Sequence, residues 1–385
     1  MPNRMKIAYI SIGDSRDTNT WSGTTYYFAE SLEKFVQLER ISLERDLFVK
    51  LANKFYALKS KIFKKRYMGE RSKLVSRYYS LKAKKALSKI EALDAVISVG
   101  TIPISYLDIH IPIINYTDAT FNQMINYYDD FSNLSFQAIK DINKLEKKAL
   151  ERSSLLFYCS DWAKQSAIKD YGIDTGKVYS VPFGLNMHEV PKKESVLQAI
   201  NRKCEKNTCN LLFVGKDFDR KGGDIAYQTV CYLNEKLNID VHLTIVGCNP
   251  SIKDNRVTII PYIDKNEEIQ QKMYQQLLNE SHFLILPTRA DCFSMVGIEA
   301  NANGIPVITT NTGGLPSLID NNVNGFRMDL KDGPDMYAQK IHEVFSDEIR
   351  YQELCLKSRG HHEEKTNWSH TSSYILEKIS TYIKN

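Results

Sequence analysis

Short, almost wholly apolar runs alternate with longer segments of helical spacing along most of this chain, and that rhythm decides what it can fold into. The clearest instance is residues 283–309. FLILP (283–287) has no polar face, as a strand covered on both sides of a parallel sheet requires. A loop holding Asp291 follows, then a helical pattern with Met295, Val296, Ile298 and Ala302, stopped by Gly304, and a second strand at 305–309. Strand, loop, helix and strand make a βαβ unit, and ligands gather at the carboxyl ends of such strands. Two acids mark the loop and helix, Asp291 and Glu299. A glutamate between Ile298 and Ala300 needs a ligand or partner if buried, because an unpaired carboxylate is costly away from water. Spacing alone favours a plainer reading, with Asp291 as a helix N-cap and Glu299 solvated.

The same rhythm divides the 385 residues into two α/β halves, each large enough for its own core. The first, 1–186, has strands at 5–13, 93–100, 111–118, 154–160 and 177–186, with a long helix near 132–151. Its opening strand leads through a polar loop to Gly23 and a helix with Phe28, Leu32 and Phe35 on one face. N–H groups at such a helix start attract phosphate. Residues 187–208 break the rhythm and read as a linker with a short helix. The second half, 209–365, has strands at 210–216, 241–247, 256–262, 282–287, 305–310 and 324–328, then helices near 333–346 and 348–358. A terminal helix in 366–385 carries Ile375, Ile379 and Tyr382 as an apolar stripe. The expected fold class is α/β, two Rossmann-like domains facing across a cleft, where ligand pockets are favoured. No apolar run reaches the roughly 18 residues that a spanning helix needs. The N-terminus enters a strand without a secretory h-region. Seven scattered cysteines without a C-x-x-C pair read as reduced thiols, so a cytoplasmic location is expected.

Charge is concentrated in one place. Residues 50–89 hold 14 Lys and Arg against the single acid Glu70, a local +13 within a chain of net +5, so the remainder sums to −8. Leu51, Phe55, Leu58 and Ile62 share one helical face, and Leu74, Tyr78 and Leu81 repeat the spacing. A basic amphipathic segment with aromatics suits an anionic membrane surface. The competing reading is a solvated helical hairpin packed on its own domain. No reader motif for nucleic acid accompanies it.

In the second half, VGKDFDRKGG (214–223) follows a strand and precedes a helix. It places Lys216, Arg220 and Lys221 at the strand's carboxyl end, beside two glycines that let backbone approach, a composition that suits a pyrophosphate. Asp217 and Asp219 form a D-x-D that is able to hold a divalent cation, but they sit among three cations without further oxygen ligands, so no metal is expected there. His361, His362, Glu363 and Glu364 are adjacent but lack zinc spacing. Cys292 has no histidine nearby and reads as a small buried thiol rather than a nucleophile.

Taken in order, these motifs resemble the retaining, nucleotide-sugar-dependent GT-B glycosyltransferases of family 4. The resemblance rests on Asp291 and Glu299 with the run Ala300–Ile308, TGGLPSLI (312–319), VGK…RKG (214–222), SDWAKQSAIKDYG…VYSVPFGLN and the terminal NWS with its helix. The first half matches only at Gly23 and in general plan. The family usually has Glu where Asp291 stands and Arg where Lys216 stands. It often has a His-Asp pair where this chain has Thr117-Asp118.

The resemblance implies that Glu299 bonds the donor ribose and that Asp291 approaches the sugar hydroxyls. Backbone N–H groups of Cys292, Phe293, Ser294 and Met295 would meet sugar and phosphate oxygens. Lys216, Arg220 and Lys221 would neutralise the departing diphosphate, with no cofactor and no metal required. Gly23 would close on the donor phosphates, Tyr262 and Ile263 would flank the base, and the terminal helix would return to the first domain. In a retaining reaction the leaving phosphate takes the acceptor proton, and Asp118 would orient the acceptor. The implied donor is a UDP-sugar, with GDP-mannose as the other option. Together with the basic aromatic segment, the resemblance implies a saccharide acceptor, lipid-linked, that would be met at the inner face of the cell membrane in bacterial surface polysaccharide or glycolipid synthesis. A nucleotide-sugar epimerase and a non-catalytic nucleotide-sugar-binding adaptor are the rival readings.

Overall fold

Parallel strands organise both units of the computed structural model, which describes residues 4–384. One unit comprises the chain up to Gly184 together with the residues from Trp368 onward, and the other is Leu185–Asn367. In the first, the elements run β1 (Lys6–Ile12), α1 (Thr24–Glu33), β2 (Gln37–Leu43), α2 (Leu47–Phe63), α3 (Lys73–Leu87), β3 (Ala95–Val99), β4 (Ile113–Thr117), α4 (Phe121–Met124), α5 (Phe136–Arg152), β5 (Leu155–Tyr158), α6 (Asp161–Lys169) and β6 (Val178–Ser180). The second has α7 (Lys193–Cys204), β7 (Cys209–Val214), α8 (Gly223–Leu237), β8 (Val241–Val246), β9 (Val257–Ile260), α9 (Glu268–Glu280), β10 (Phe283–Leu286), α10 (Met295–Ala302), β11 (Val307–Thr310), β12 (Gly325–Met328), α11 (Pro334–Phe345) and α12 (Glu348–Lys365). The chain then returns to the first unit as α13 (Trp368–Lys384).

Among the described residues each unit holds a six-stranded sheet, in the orders β2-β1-β3-β4-β5-β6 and β12-β11-β10-β7-β8-β9. Every strand pair is parallel. Both are doubly wound Rossmann-like arrangements, the pair of sheets that defines the GT-B fold. The order reverses between β1 and β3 in the first sheet and between β7 and β10 in the second, and crevices form at such switch points. The strands are apolar because both faces are covered. Ile7, Ala8, Tyr9 and Ile10 of β1 and all four residues of β10 have no exposed surface.

Two elements depart from the expected pattern, and the helix expected within 187–208 is present. β2 had no counterpart in the sequence reading. As an edge strand it buries only Ile41 and Leu43, so QLERISL lacks the apolar run that marks its neighbours. The 187–208 stretch holds α7, whose Val196, Ala199 and Ile200 are buried within the second unit. Finally, α12 continues through both histidines to Lys365. Side-chain placement also shifts at two stripes, where Phe35 lies past the end of α1 and Tyr382 of α13 is exposed. Ile375 and Ile379 of α13 are fully buried, and Ser372 bonds Ser31 of α1 at 2.8 Å.

The basic segment forms two helices capped by Asp46 and Ser72, whose side chains accept from the N–H groups of Val49 and Val75. Their inward faces are Val49 and Ala52 on α2 and Val75, Tyr79, Ala83 and Leu87 on α3. The stripe seen in the sequence points the other way. Leu51, Phe55, Leu58 and Ile62 are 54%, 62%, 57% and 65% exposed, and Leu74 and Leu81 are exposed too. Among the described residues no helix is long and apolar enough to cross a membrane.

Candidate functional site

Two loops meet at the switch point of the second sheet, one after β7 and one after β10. Gly222 makes their contact feasible. Its φ is +75°, and a Cβ there would lie 2.0 Å from the Pro287 carbonyl oxygen. Arg220 then bonds across the junction, its Nη1 donating to the Ala290 carbonyl at 2.7 Å, while the Arg289 N–H donates to the Arg220 carbonyl at 2.8 Å. Arg289 in turn holds Asp224 through its two terminal guanidinium nitrogens, at 2.9 and 2.7 Å.

This junction brings Lys221 to Asp291, with Nζ to Oδ2 at 2.6 Å and both side chains largely buried. Asp291 is not the helix cap that the plainer reading made it. Ser294 caps α10, its hydroxyl accepting from the Gly297 N–H at 3.3 Å. Nor is Glu299 solvated, since it is 3% exposed on a helix whose Gly297–Ala302 stretch is buried throughout. Its burial is matched by partners that sequence reading missed. Lys265 Nζ donates to Oε1 and Oε2, both at 2.7 Å, and the Tyr274 hydroxyl donates to Oε2 at 2.6 Å. The one signal for Tyr274 was its place with Leu278 on the buried side of α9. Lys265 lies in a polar loop and gave none.

Cys292, Phe293 and Ser294 are buried at the start of α10, with Met295 half-buried as its first residue. Lys216 follows β7 and is exposed. Tyr262 is exposed and Ile263 buried in the segment between β9 and Lys265. Asp217 of the D-x-D faces Arg220, accepting from its N–H at 3.0 Å and lying 3.3 Å from its Nε. His361 and His362 are buried apart from each other's partners: His361 contacts Asn324, and His362 contacts Thr366. Among the described residues no group of three metal-ligating side chains is present.

Gly23 and Asp118 belong to the other unit. Gly23, at φ +85°, caps α1. Asp118 follows β4 and lines a cavity of about 1120 Å³ around the β1/β3 switch point, together with Gly13, Gly100 and Thr117. Burial raises its carboxyl, opposed by the Arg71 guanidinium. Glu146 of α5 lines the same cavity. It accepts from the Thr101 hydroxyl at 2.5 Å and the Phe121 N–H at 3.3 Å, and burial raises it as well. Arg71 sits 5.8 and 5.5 Å from the rings of Phe121 and Phe131. Glu146 was legible in principle, because it falls on the apolar stripe Ile142, Leu145 and Ala149.

Residues 208–347 match the family model described as Glycosyl transferases group 1. The D-inositol 3-phosphate glycosyltransferase of Paenarthrobacter aurescens is 22% identical over 220 residues, covering 54% of this chain and 53% of that protein. The chain spans about half the length of the curated relatives it matches. A glycosyltransferase from Rickettsia africae superposes with a TM-score of 0.67 at 16% identity, over the whole of both chains. The Anabaena HepE protein, in complex with UDP and glucose, superposes with a TM-score of 0.61 at 14% identity, over 98% of this chain and 100% of that one. The two Rossmann-like units thus follow the GT-B plan of these solved structures, and the second unit carries the stretch that matches the glycosyl transferases group 1 model.

Proposed function

We propose that this protein is a retaining, metal-independent glycosyltransferase that moves a sugar from a nucleotide-diphosphate sugar to a saccharide acceptor. The observation that carries the reading is the meeting, at one switch point, of the Lys221–Asp291 pair and Arg220, with the buried Glu299 on the helix that this loop leads into. Glu299 takes the donor ribose, and Asp291 takes hydroxyls of the transferred sugar. Lys221, with Arg220 and the exposed Lys216, stabilises the diphosphate as it leaves, and preorganised charge of this kind is usually the largest catalytic contribution. N–H groups of residues 292–295 at the start of α10 add to the same field. The leaving phosphate accepts the acceptor's proton, so the reaction needs no separate protein base. Asp118 and the cavity around it orient the acceptor in the first unit. A UDP-sugar is the favoured donor, in keeping with the UDP and glucose carried by the HepE protein.

The acceptor is lipid-linked, and α2 is the membrane-facing element. Its apolar stripe is turned outward, and on a helix of 3.6 residues per turn Lys54 and Lys61 border one edge of it and Lys59 the other. Aromatic and aliphatic groups between lysines suit the headgroup boundary of an anionic bilayer. The reading is tested by incubating the protein with UDP-, GDP- and ADP-sugars and a lipid-extract acceptor, with and without chelator. Transfer with the anomeric configuration kept, and unaffected by chelator, is the expected result. Inversion, or loss of activity with chelator, would refute it.

A further inference from the structure

Glu299 has more partners than a ribose-binding carboxylate can keep. A carboxylate offers about four lone-pair sites. Lys265 takes one on each oxygen, and Tyr274 takes a further one on Oε2. A cis-diol brings two donors to a carboxylate with room for one. One of the present partners must therefore leave when both hydroxyls bind.

The two partners are unequal in freedom. Tyr274 is 2% exposed on α9, and its hydroxyl cannot withdraw without opening the packing around it. Lys265 lies between β9 and α9, its side chain is 36% exposed, and its flexible four-carbon stem can swing into water. Its ammonium also rests 4.2 Å from the centre of the Tyr274 ring, so its present position is well held. We propose that Lys265 is a specificity-determining residue of the donor site, a cation that occupies Glu299 and is displaced by the ribose diol. The proposal rests on Glu299 being the ribose ligand.

The consequence concerns which nucleotides the site distinguishes. A full ribose gains two hydrogen bonds to Glu299 but must break the Lys265 contact, which lowers its apparent affinity. A 2′-deoxy nucleotide has one hydroxyl to offer, fits the remaining lone pair, and binds with Lys265 in place. The wild type therefore separates the two weakly. Removing the cation restores the advantage of the full ribose. If Lys265 instead held Glu299 in a binding-ready position, removing it would weaken the full ribose most.

The test is calorimetric titration of UDP and GDP, each with its 2′-deoxy counterpart, into the wild type, Lys265→Met and Lys265→Arg. Lys265 is partly exposed, so both variants are expected to fold, which their melting temperatures check. For the nucleotide that binds best, Lys265→Met should tighten the ribo form by about five- to tenfold, the scale of the net contribution of one ordinary hydrogen bond. It should leave the deoxy form within about twofold, and Lys265→Arg should match the wild type. Weaker ribo binding by Lys265→Met, or an equal shift of both forms, overturns the inference while leaving the donor site standing. If neither UDP nor GDP binds the wild type, the donor-site reading falls and the inference with it.

Discussion

Glu299 and Gly222 are the residues at which chemistry and backbone geometry are most exposed to a single change. Glu299→Gln keeps the shape of the side chain but replaces a charge-assisted acceptor with a neutral one. Loss of about 2 kcal/mol in donor recognition, roughly 30-fold in kcat/KM for the donor, is expected. Steady-state kinetics on the variant would show it, and an unchanged value would remove Glu299 from the site. Gly222→Ala introduces a Cβ that meets the Pro287 carbonyl, at a φ that L side chains rarely adopt. It should destabilise the fold by roughly 2–4 kcal/mol. A denaturant midpoint equal to wild type would mean that the two loops do not depend on this close approach. These sites also mark the limit of sequence reading. Asp291 and Glu299 stood out through the order of motifs around them, while spacing alone favoured the plainer reading, because whether a helical glutamate is buried depends on what covers it. The cover comes from Lys265 and Tyr274, which lie 34 and 25 residues away in the chain.

At the scale of elements, α2 and α12 carry separable predictions. Serine in place of Phe55, Leu58 and Ile62 removes apolar surface that already faces water, so folding stability should change little. Binding to anionic vesicles should fall by an order of magnitude or more, and wild-type binding should weaken with salt. A cosedimentation assay that found the triple variant bound as well as wild type would remove α2 from the membrane. The sequence displayed this stripe, but not its direction. Helical periodicity reports that a face is apolar, and only the contacts of the opposite face, Val49 and Ala52, settle that it points outward. β2 was invisible for a related reason, since an edge strand with Glu39 and Arg40 in it presents no apolar run.

On α12, His361 and His362 are buried and held down to about 4, chiefly by desolvation, and so is His282 at the start of β10. The ordinary histidine value is near 6.5, so between that and about 4 the unfolded chain binds more protons. Stability from these groups is complete above about pH 6.5 and is lost as pH falls toward 4. The raised carboxyls of Asp118 and Glu146 act in the opposite direction. Urea midpoints should therefore fall between pH 7 and pH 5, and His361→Asn should flatten that part of the profile. A wild-type midpoint that stayed level across this range would contradict the burial of these rings as neutral groups.

Across the whole molecule, two doubly wound sheets each have a switch point where the strand order turns, and the two differ in chemistry. The one in the second unit brings together Lys221, Arg220 and the buried Asp291, while the one in the first holds a large cavity with Asp118 and Glu146 at its wall. The central claim is that the second unit binds a nucleoside diphosphate through Glu299 and its phosphate-facing cations without a metal. A thermal-shift titration with UDP and GDP, run in chelator on wild type and Glu299→Gln, tests it most directly. At about a hundred times its dissociation constant a bound nucleotide should stabilise the wild type by ~2.7 kcal/mol. The account predicts a clear upward shift for at least one nucleotide in chelator, and a much smaller shift in the variant at the same concentration. No shift with either nucleotide, or an equal shift in wild type and variant, would contradict it.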